Sequence, residues 1–443
     1  MKKIIKYMVL FILILIWNLI VMELNLDEIW NYGFAHNIAT GLIPYKDFNM
    51  VITPLFPFMM SIFLYIFNSN ILIFHIVWAF ISTFLIYIIF KSLKDKGWII
   101  FLSLFFIFPI IMPNYNMLIY YLLILIVLAE KAKKSDYLIG ILIALTILTK
   151  HTVGFFLILP SLYYIKKPKK IIKRFIGITI PISIFVIYLL FTKSLNYFID
   201  LCILGLFDFA KENSNLLNIY VLFTFLLLIF IIFIIKKDKK NITNYYVLSF
   251  ISIVFPIFDL YHFWVFFSFF LFVYLLNHNI NLKINIKLFT IGLLILMPFM
   301  YLENRFKEHI IYPNKINKFE YRFLSKNEIN YTNKIISFMN KNNNRKIINL
   351  DADSYYFKIV TNKKIEKLDL INRGNWGYNG KDKIIKEIKK NKDAIYLLDR
   401  RIIEEKNNQL EKVAIKYIIN NGKKIGNIRQ GYISRDVYVL YEE

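Results

Sequence analysis

The sequence predicts a polytopic α-helical membrane protein with about eleven transmembrane helices, followed by a C-terminal extracytoplasmic α/β domain. Three observations carry this expectation. The 443 residues are 58% hydrophobic and 18% aromatic, with a mean hydropathy of +0.52, more apolar than solubility in water allows. The apolar residues are clustered in runs that recur as far as Leu302. From Glu303 onwards Lys, Asn and Ile dominate, and apolar residues scatter among charges over a length that suits one soluble domain. Two parts follow: a multi-span membrane domain over 1–302, with 23–70 as its first extracytoplasmic loop carrying interfacial helices, and a soluble α/β domain over 303–443.

The first run, "YMVLFILILIWNLIVM" (7–22), carries no charge and, with its flanks, is long enough to cross a bilayer. It lacks a small-residue cleavage site and more spans follow it, so it reads as a retained helix rather than a signal peptide. Four basic clusters punctuate the later runs: "KSLKDK" (91–96), "KAKK" (131–134), "KKPKKIIKR" (166–174) and "KKDKK" (236–240). Short basic loops stay in the cytoplasm, as do Lys2, Lys3 and Lys6. That constraint threads the chain: 4–22 outward, 71–90 inward, 98–112 outward and 115–130 inward. Residues 137–165 cross twice, turning at "TKHT" (149–152). Then 175–191, 218–235, 243–258, 263–276 and 288–302 follow in alternation, which leaves the C-terminal part outside. "PLFPFMMSIFLYIF" (54–67) breaks the alternation if it spans, and is expected to lie in the outer interface.

The net charge of +25 invites a nucleic-acid reading, but its distribution argues against one. The membrane part holds 25 Lys+Arg against 12 Asp+Glu, mostly in short loops where they report topology; the tail holds 30 against 18, interspersed. The partners this charge suits are the anionic headgroups of the lipid bilayer or anionic polymers, and nucleic acid is not expected. The lone cysteine, Cys202, excludes an intramolecular disulfide and any cysteine-based zinc cluster.

The threading places the polar interruptions of apolar sequence on one face, the outer one: Asp27, Glu28, Lys46, Asp47, Lys150, His151, Asp259 and His262. In "DEIWNYGFAHNIATG" the apolar residues recur at helical spacing and Gly41 suits the C-terminal cap. A short amphipathic helix lying flat outside is expected, with Asp27 and Glu28 at its start, where carboxylates also serve simply as caps. In "GLIPYKDF" Pro44 fixes a turn, and Lys46 and Asp47 are expected to face water. Lys150 and His151 sit at a hairpin tip, suited either to a polar turn or to an anionic headgroup or lipid phosphate. Asp259 and His262 fall three apart on one helical face, a metal pair only if a third ligand joins them.

The first span, the Asp27–Glu28 doublet just outside it, the "PYKDF" loop and the Pro-Leu-initiated helix together resemble the GT-C-fold glycosyltransferases. The layout resembles that of their bacterial protein O-mannosyltransferase and lipid A aminoarabinose transferase members. The resemblance is motif-specific over 24–57 and looser at "LTKHTVG" and "FDLYH". It implies transfer of a sugar from a polyisoprenyl-phosphate carrier to an extracytoplasmic acceptor, a lipid, cell-surface glycan or protein, at the cell membrane. It implies a first-loop carboxylate, Asp27 or its neighbour Glu28, as general base, with inversion at the anomeric carbon. Lys46, Asp47, Lys150, His151, Asp259 and His262 are then the candidate donor-phosphate and substrate contacts. No extended acidic metal motif occurs and no metal ligand set is read; a divalent ion stays open as an alternative. The rival classes are a lipid-linked glycan flippase or polymerase, which calls for charge along the span interiors, and a non-catalytic scaffold, which gives acids no reason to gather on one face.

In the tail, 326–342 and "KDKIIKEIKKN" (381–391) read as helices. "RKIINLD" (345–351), "DAIYLLD" (393–399) and "RDVYVLYEE" (435–443) read as strands of a small α/β sheet. "NRGNWGYNG" (372–380) suits a long turn or a sugar-facing loop, and no phosphate-binding glycine motif suggests ATP.

Overall fold

The structure is a computed structural model that describes residues 2–20, 26–107, 112–164, 167–213 and 219–278. In the C-terminal third it describes 311–313, 316, 318, 323–351, 354–369, 371, 376–399, 402, 409–430 and 433–440. The expected span over 288–302 lies outside the described residues.

The N-terminal part is helical. Its helices are α1 (Lys2–Ile20), α2 (Leu26–Ala39), α3 (Leu55–Ile66), α4 (Ile71–Leu93), α5 (Trp98–Ile107) and α6 (Tyr115–Lys131). There follow α7 (Asp136–Thr149), α8 (His151–Phe156), α9 (Ile158–Tyr164), α10 (Pro168–Phe191) and α11 (Leu195–Phe198). A π-helical turn, Ile199–Leu204, leads into α12 (Gly205–Asn213), and α13 (Ile219–Lys237), α14 (Ile242–Phe250) and α15 (Leu260–Asn277) complete the set. Among the described residues, four stretches are long and apolar enough to cross a membrane: Ile71–Lys96, Pro168–Phe191, Ile219–Lys237 and Leu260–Asn277. The remaining apolar helices are shorter, and the stretch expected to cross twice, 137–165, is broken into α7, α8 and α9.

Two devices hold the bundle. Helices α7 and α10 meet at Gly140 and Gly177; a Cβ on Gly177 would lie 2.3 Å from the Tyr137 carbonyl oxygen, so only glycine permits this approach. One turn before Gly177, the buried Arg174 guanidinium reaches across the seam. It donates to Glu130 at 2.6 Å, Asp136 at 2.8 Å and the Ser161 hydroxyl at 3.0 Å. Tyr246 donates to the same Glu130 at 2.8 Å, so α6, α7, α9, α10 and α14 share one paired and hydrogen-bonded charge cluster.

The C-terminal part contains a four-stranded sheet in the order β3-β4-β6-β5, and a separate two-stranded pair, β1 (Ile311–Pro313) and β2 (Phe323–Ser325). β3 (Ile347–Asn349) runs parallel to β4 (Ile395–Leu398), while β6 (Ile433–Leu440) pairs antiparallel with β4 and with β5 (Gly422–Gln430). Around the sheet lie α16 (Lys326–Lys341), α17 (Ser354–Val360), α18 (Gly380–Lys390) and α19 (Gln409–Asn421). In β3, β4 and β6 the side chains alternate between two cores. Ile347, Ile395, Leu397 and Val437 join the core continuous with the N-terminal helices; Ile348, Tyr396, Leu398 and Tyr438 join a second core with α18 and α19. One face of the sheet thus belongs to the main body, through α16 and α17.

That arrangement corrects the expectation for α2. The helix is not an amphipathic rod lying flat outside: Ile29, Trp30, Tyr32, Phe34 and Ala35 point in all directions round it and all are buried. On one side it packs against α3; on another, the Tyr355 ring of α17 lies so close to Gly33 that a Cβ there would sit 2.6 Å from it. The extra cover comes from the C-terminal part, which a reading of the loop by itself does not supply.

Candidate functional site

The chain doubles back at Lys150. Thr146 and Thr149 turn their hydroxyls onto the Leu142 and Leu145 carbonyls, α7 ends, and Lys150 adopts an extended conformation (φ −152°, ψ 101°) before α8 begins. Gly154 lets α8 fold against α7, since a Cβ there would lie 2.4 Å from the Ile147 Cα. The Lys150 side chain thereby lines a cavity of about 1690 Å³. Asp27, from the first turn of α2, lines the same cavity, as do His151, Asp259, Tyr261 and His262.

Each of these groups has a local reason for its place. Asp259 caps α15: its Oδ1 accepts the His262 backbone N–H at 2.8 Å and stands 2.7 Å from His262 Nδ1. Asn31 holds the start of α2 by donating from its side chain to the Asp27 carbonyl at 2.6 Å. The Lys150 ammonium donates to Asn116 Oδ1 at 3.3 Å and lies 5.4 Å from the centre of the Tyr115 ring. Asn114 and the Tyr261 phenol bond each other beside it, with Asn114 donating at 2.9 Å. Burial pushes the Lys150 ammonium down to about 8, against the opposing pull of Asp27 and Asp259. Both carboxylates are therefore within electrostatic reach of one cation.

Away from that polar end the walls are apolar. Phe155, Phe156 and Leu159 from α8 and α9, Leu206 and Phe209 from α12 and Phe255 before α15 line it. Phe155, Phe156, Leu159 and Phe255 are also exposed, so the cavity surface runs on to the outside of the bundle at the level of its apolar helices.

The structure thus gathers Asp27, Lys150, His151, Asp259 and His262 in one place and leaves three expected residues out. Glu28, next to Asp27, turns away from the cavity, is fully buried, and stands 2.8 Å from His75 Nε2 on α4. Asp47 closes its own turn, its Oδ2 accepting the Ile43 N–H at 2.8 Å, rather than facing water. Lys46 donates to the Thr192 carbonyl at 3.5 Å. Their part-burial comes from the tight turn after Gly41, which has φ +89°. Tyr115, Asn116, Tyr261 and His75 were not singled out from the sequence; the polar pair in "PNYNM", at the start of an otherwise apolar run, was the available signal for Asn114 and Asn116. The "NRGNWGYNG" loop also finds a partner: Trp376 packs into the second core, while the Tyr378 and Asn379 backbone N–H groups donate to Asp200 and Asp208 at 3.2 and 2.7 Å.

Among the described residues no group of three or more His, Cys, Asp or Glu side chains is arranged to hold a metal ion. No family model, no curated protein and no solved structure matches this chain.

Proposed function

We propose that the protein is an integral-membrane glycosyltransferase of the GT-C type. It would move a sugar from a polyisoprenyl-phosphate carrier to an acceptor outside the membrane, with about eleven crossings, a cytoplasmic N-terminus and an extracytoplasmic C-terminal part. The observation that carries this reading is the placing of Asp27 and Lys150, within electrostatic reach of each other, at the polar end of an apolar-walled cavity. A hydrocarbon carrier suits the walls. A phosphate suits the ammonium, and an acceptor hydroxyl suits the carboxylate.

The chemistry balances on these two residues. The acceptor oxygen attacks the anomeric carbon while Asp27 takes the hydroxyl proton. The bond from the anomeric carbon to the phosphate oxygen breaks, and the carrier phosphate leaves with the electron pair and meets the Lys150 charge. A single displacement inverts the anomeric centre. His151 and the Asp259–His262 pair would border the sugar, and Tyr261 and Asn116 would hold Lys150 in place.

Mass spectrometry of lipid co-purified with the protein tests the class. A polyprenyl-phosphate sugar is expected, and repeated preparations that carry only bulk phospholipid would overturn it. Orientation is tested separately by single cysteines at Ser135 and Ile425, both exposed, in a Cys202→Ser background. An impermeant thiol reagent on intact cells should label position 425 and spare position 135.

A further inference from the structure

We infer that Glu28 and His75 form a positioning pair, a pin between α2 and α4 that sets the rotation of α2 and so aims Asp27 into the cavity. The inference rests on the reading of Asp27 as the proton acceptor, and its test does not.

Neighbouring residues on an α-helix point roughly 100° apart, so Asp27 and Glu28 need not face the same surroundings. The structure gives them different surroundings: Asp27 lines the cavity, and Glu28 is 0% exposed on the side of α4. A carboxylate buried so completely is costly without a partner, and His75, itself 2% exposed, supplies one at 2.8 Å. The wall around the pair is aromatic. Phe74, beside His75, meets the edges of Tyr32 and Phe56, and Phe56 in turn meets Trp78.

A pin is needed because α2 lacks the usual device for fixing rotation. A surface helix is oriented by its apolar stripe. α2 has no such stripe: its apolar residues are buried on every side, so its rotation rests on particular contacts, with Gly33 under the Tyr355 ring and Tyr32 and His36 bonded to Ser69 just before α4. The Glu28–His75 contact, short and buried, adds to these at the end of the helix that carries Asp27, the same role that single buried polar groups play in fixing helix register. Glu28 therefore acts through the helix on its neighbour and makes no contact with the cavity itself.

The test reads orientation rather than turnover. Asp27→Cys is made in a Cys202→Ser background and its rate of reaction with 2-aminoethyl methanethiosulfonate is measured; Thr152→Cys, on another wall of the same cavity, is the control. Adding His75→Leu should slow reaction at position 27 by about tenfold, the scale of a shift between two orientations of modest free-energy difference, with position 152 unchanged. His75→Gln, which keeps a side-chain donor, should restore the native rate at position 27. An unchanged rate in His75→Leu, an equal fall at both positions, or a failure of His75→Gln to restore the rate would each overturn the pair. No substrate enters the measurement, so a wrong donor assignment leaves its outcome intact.

Discussion

The Lys383 ammonium stands 2.5 Å from Asp200 Oδ2, a contact between side chains 183 residues apart that ties the C-terminal part to the wall of the cavity. Asp200 belongs to the turn that leads into α12, whose Leu206 and Phe209 line the cavity on the opposite face. The tie has three strands of unequal strength. The ion pair is half-exposed, so Lys383→Ala should cost at most about 1 kcal/mol. Asp200→Ala should cost more, because the Tyr378 N–H loses its acceptor as well. Gly377→Ala should cost most: its φ is +71°, and a Cβ would lie 2.5 Å from Asp200 Oδ2. Thermal unfolding of the purified variants should rank them in that order.

The site should lose its cation in mildly alkaline solution. Burial, which disfavours the charged form, pushes the Lys150 ammonium down to about 8. Affinity for farnesyl phosphate should be level below that pH and fall about tenfold per unit above it, since the phosphate is already fully ionised there. Lys150→Arg should carry binding to higher pH, and Lys150→Met should bind weakly throughout. The effect on stability has the opposite sign. A free lysine titrates near about 10.4, so between the two values the unfolded chain holds the extra proton. Raising pH through that window therefore stabilises the fold. Binding and unfolding measured across pH 7–10.5 separate the two trends.

Asp27→Asn keeps the shape and hydrogen bonding of the side chain and removes its basicity. Single-turnover sugar transfer should fall by about 10²–10⁴, while farnesyl phosphate binding stays within a few-fold of native. Near-normal transfer by this variant would remove Asp27 from the role of base.

The buried cluster around Arg174 should be the most sensitive point of the bundle. Arg174→Ala takes the cation from Asp136 and leaves Glu130 with the Tyr246 hydroxyl alone, and should destabilise by about 3–5 kcal/mol. Gly177→Ala should come close to it, because the added methyl meets the Tyr137 carbonyl oxygen and forces α7 from α10. Arg174→Met combined with Glu130→Gln and Asp136→Asn should recover much of the loss. Denaturant unfolding in detergent checks all three.

The break at Lys150 was legible because polar residues in an apolar run have few uses other than a turn; Asp259, weighed with His262 for a metal, instead caps α15. Five of the eight polar residues placed outside by threading share the cavity. The three that do not illustrate what pattern cannot convey. Asp47 is consumed by its own turn, four residues from its partner Ile43, and spacing cannot tell a closed turn from an open one. Glu28 looked equivalent to Asp27 until its surroundings on α4 were known. His75 sat unremarked in an apolar helix, since a single histidine there carries no period and no neighbour in sequence. The burial of α2 was hidden for a related reason: its cover comes from Tyr355, and no local property of the loop announces a distant lid. In the tail, β5 and α19 escaped because 409–430 mixes charge and apolar residues without a clean alternation.

Tyr355 closes over Gly33 only after the ribosome has made the later of the two. For most of its synthesis, the helix that carries Asp27 stands with one flank bare. A product stopped before Tyr355 keeps that flank bare permanently and offers an aromatic surface to chaperones and surveillance proteases. Docking of the C-terminal part thus completes the surroundings of the helix that carries Asp27.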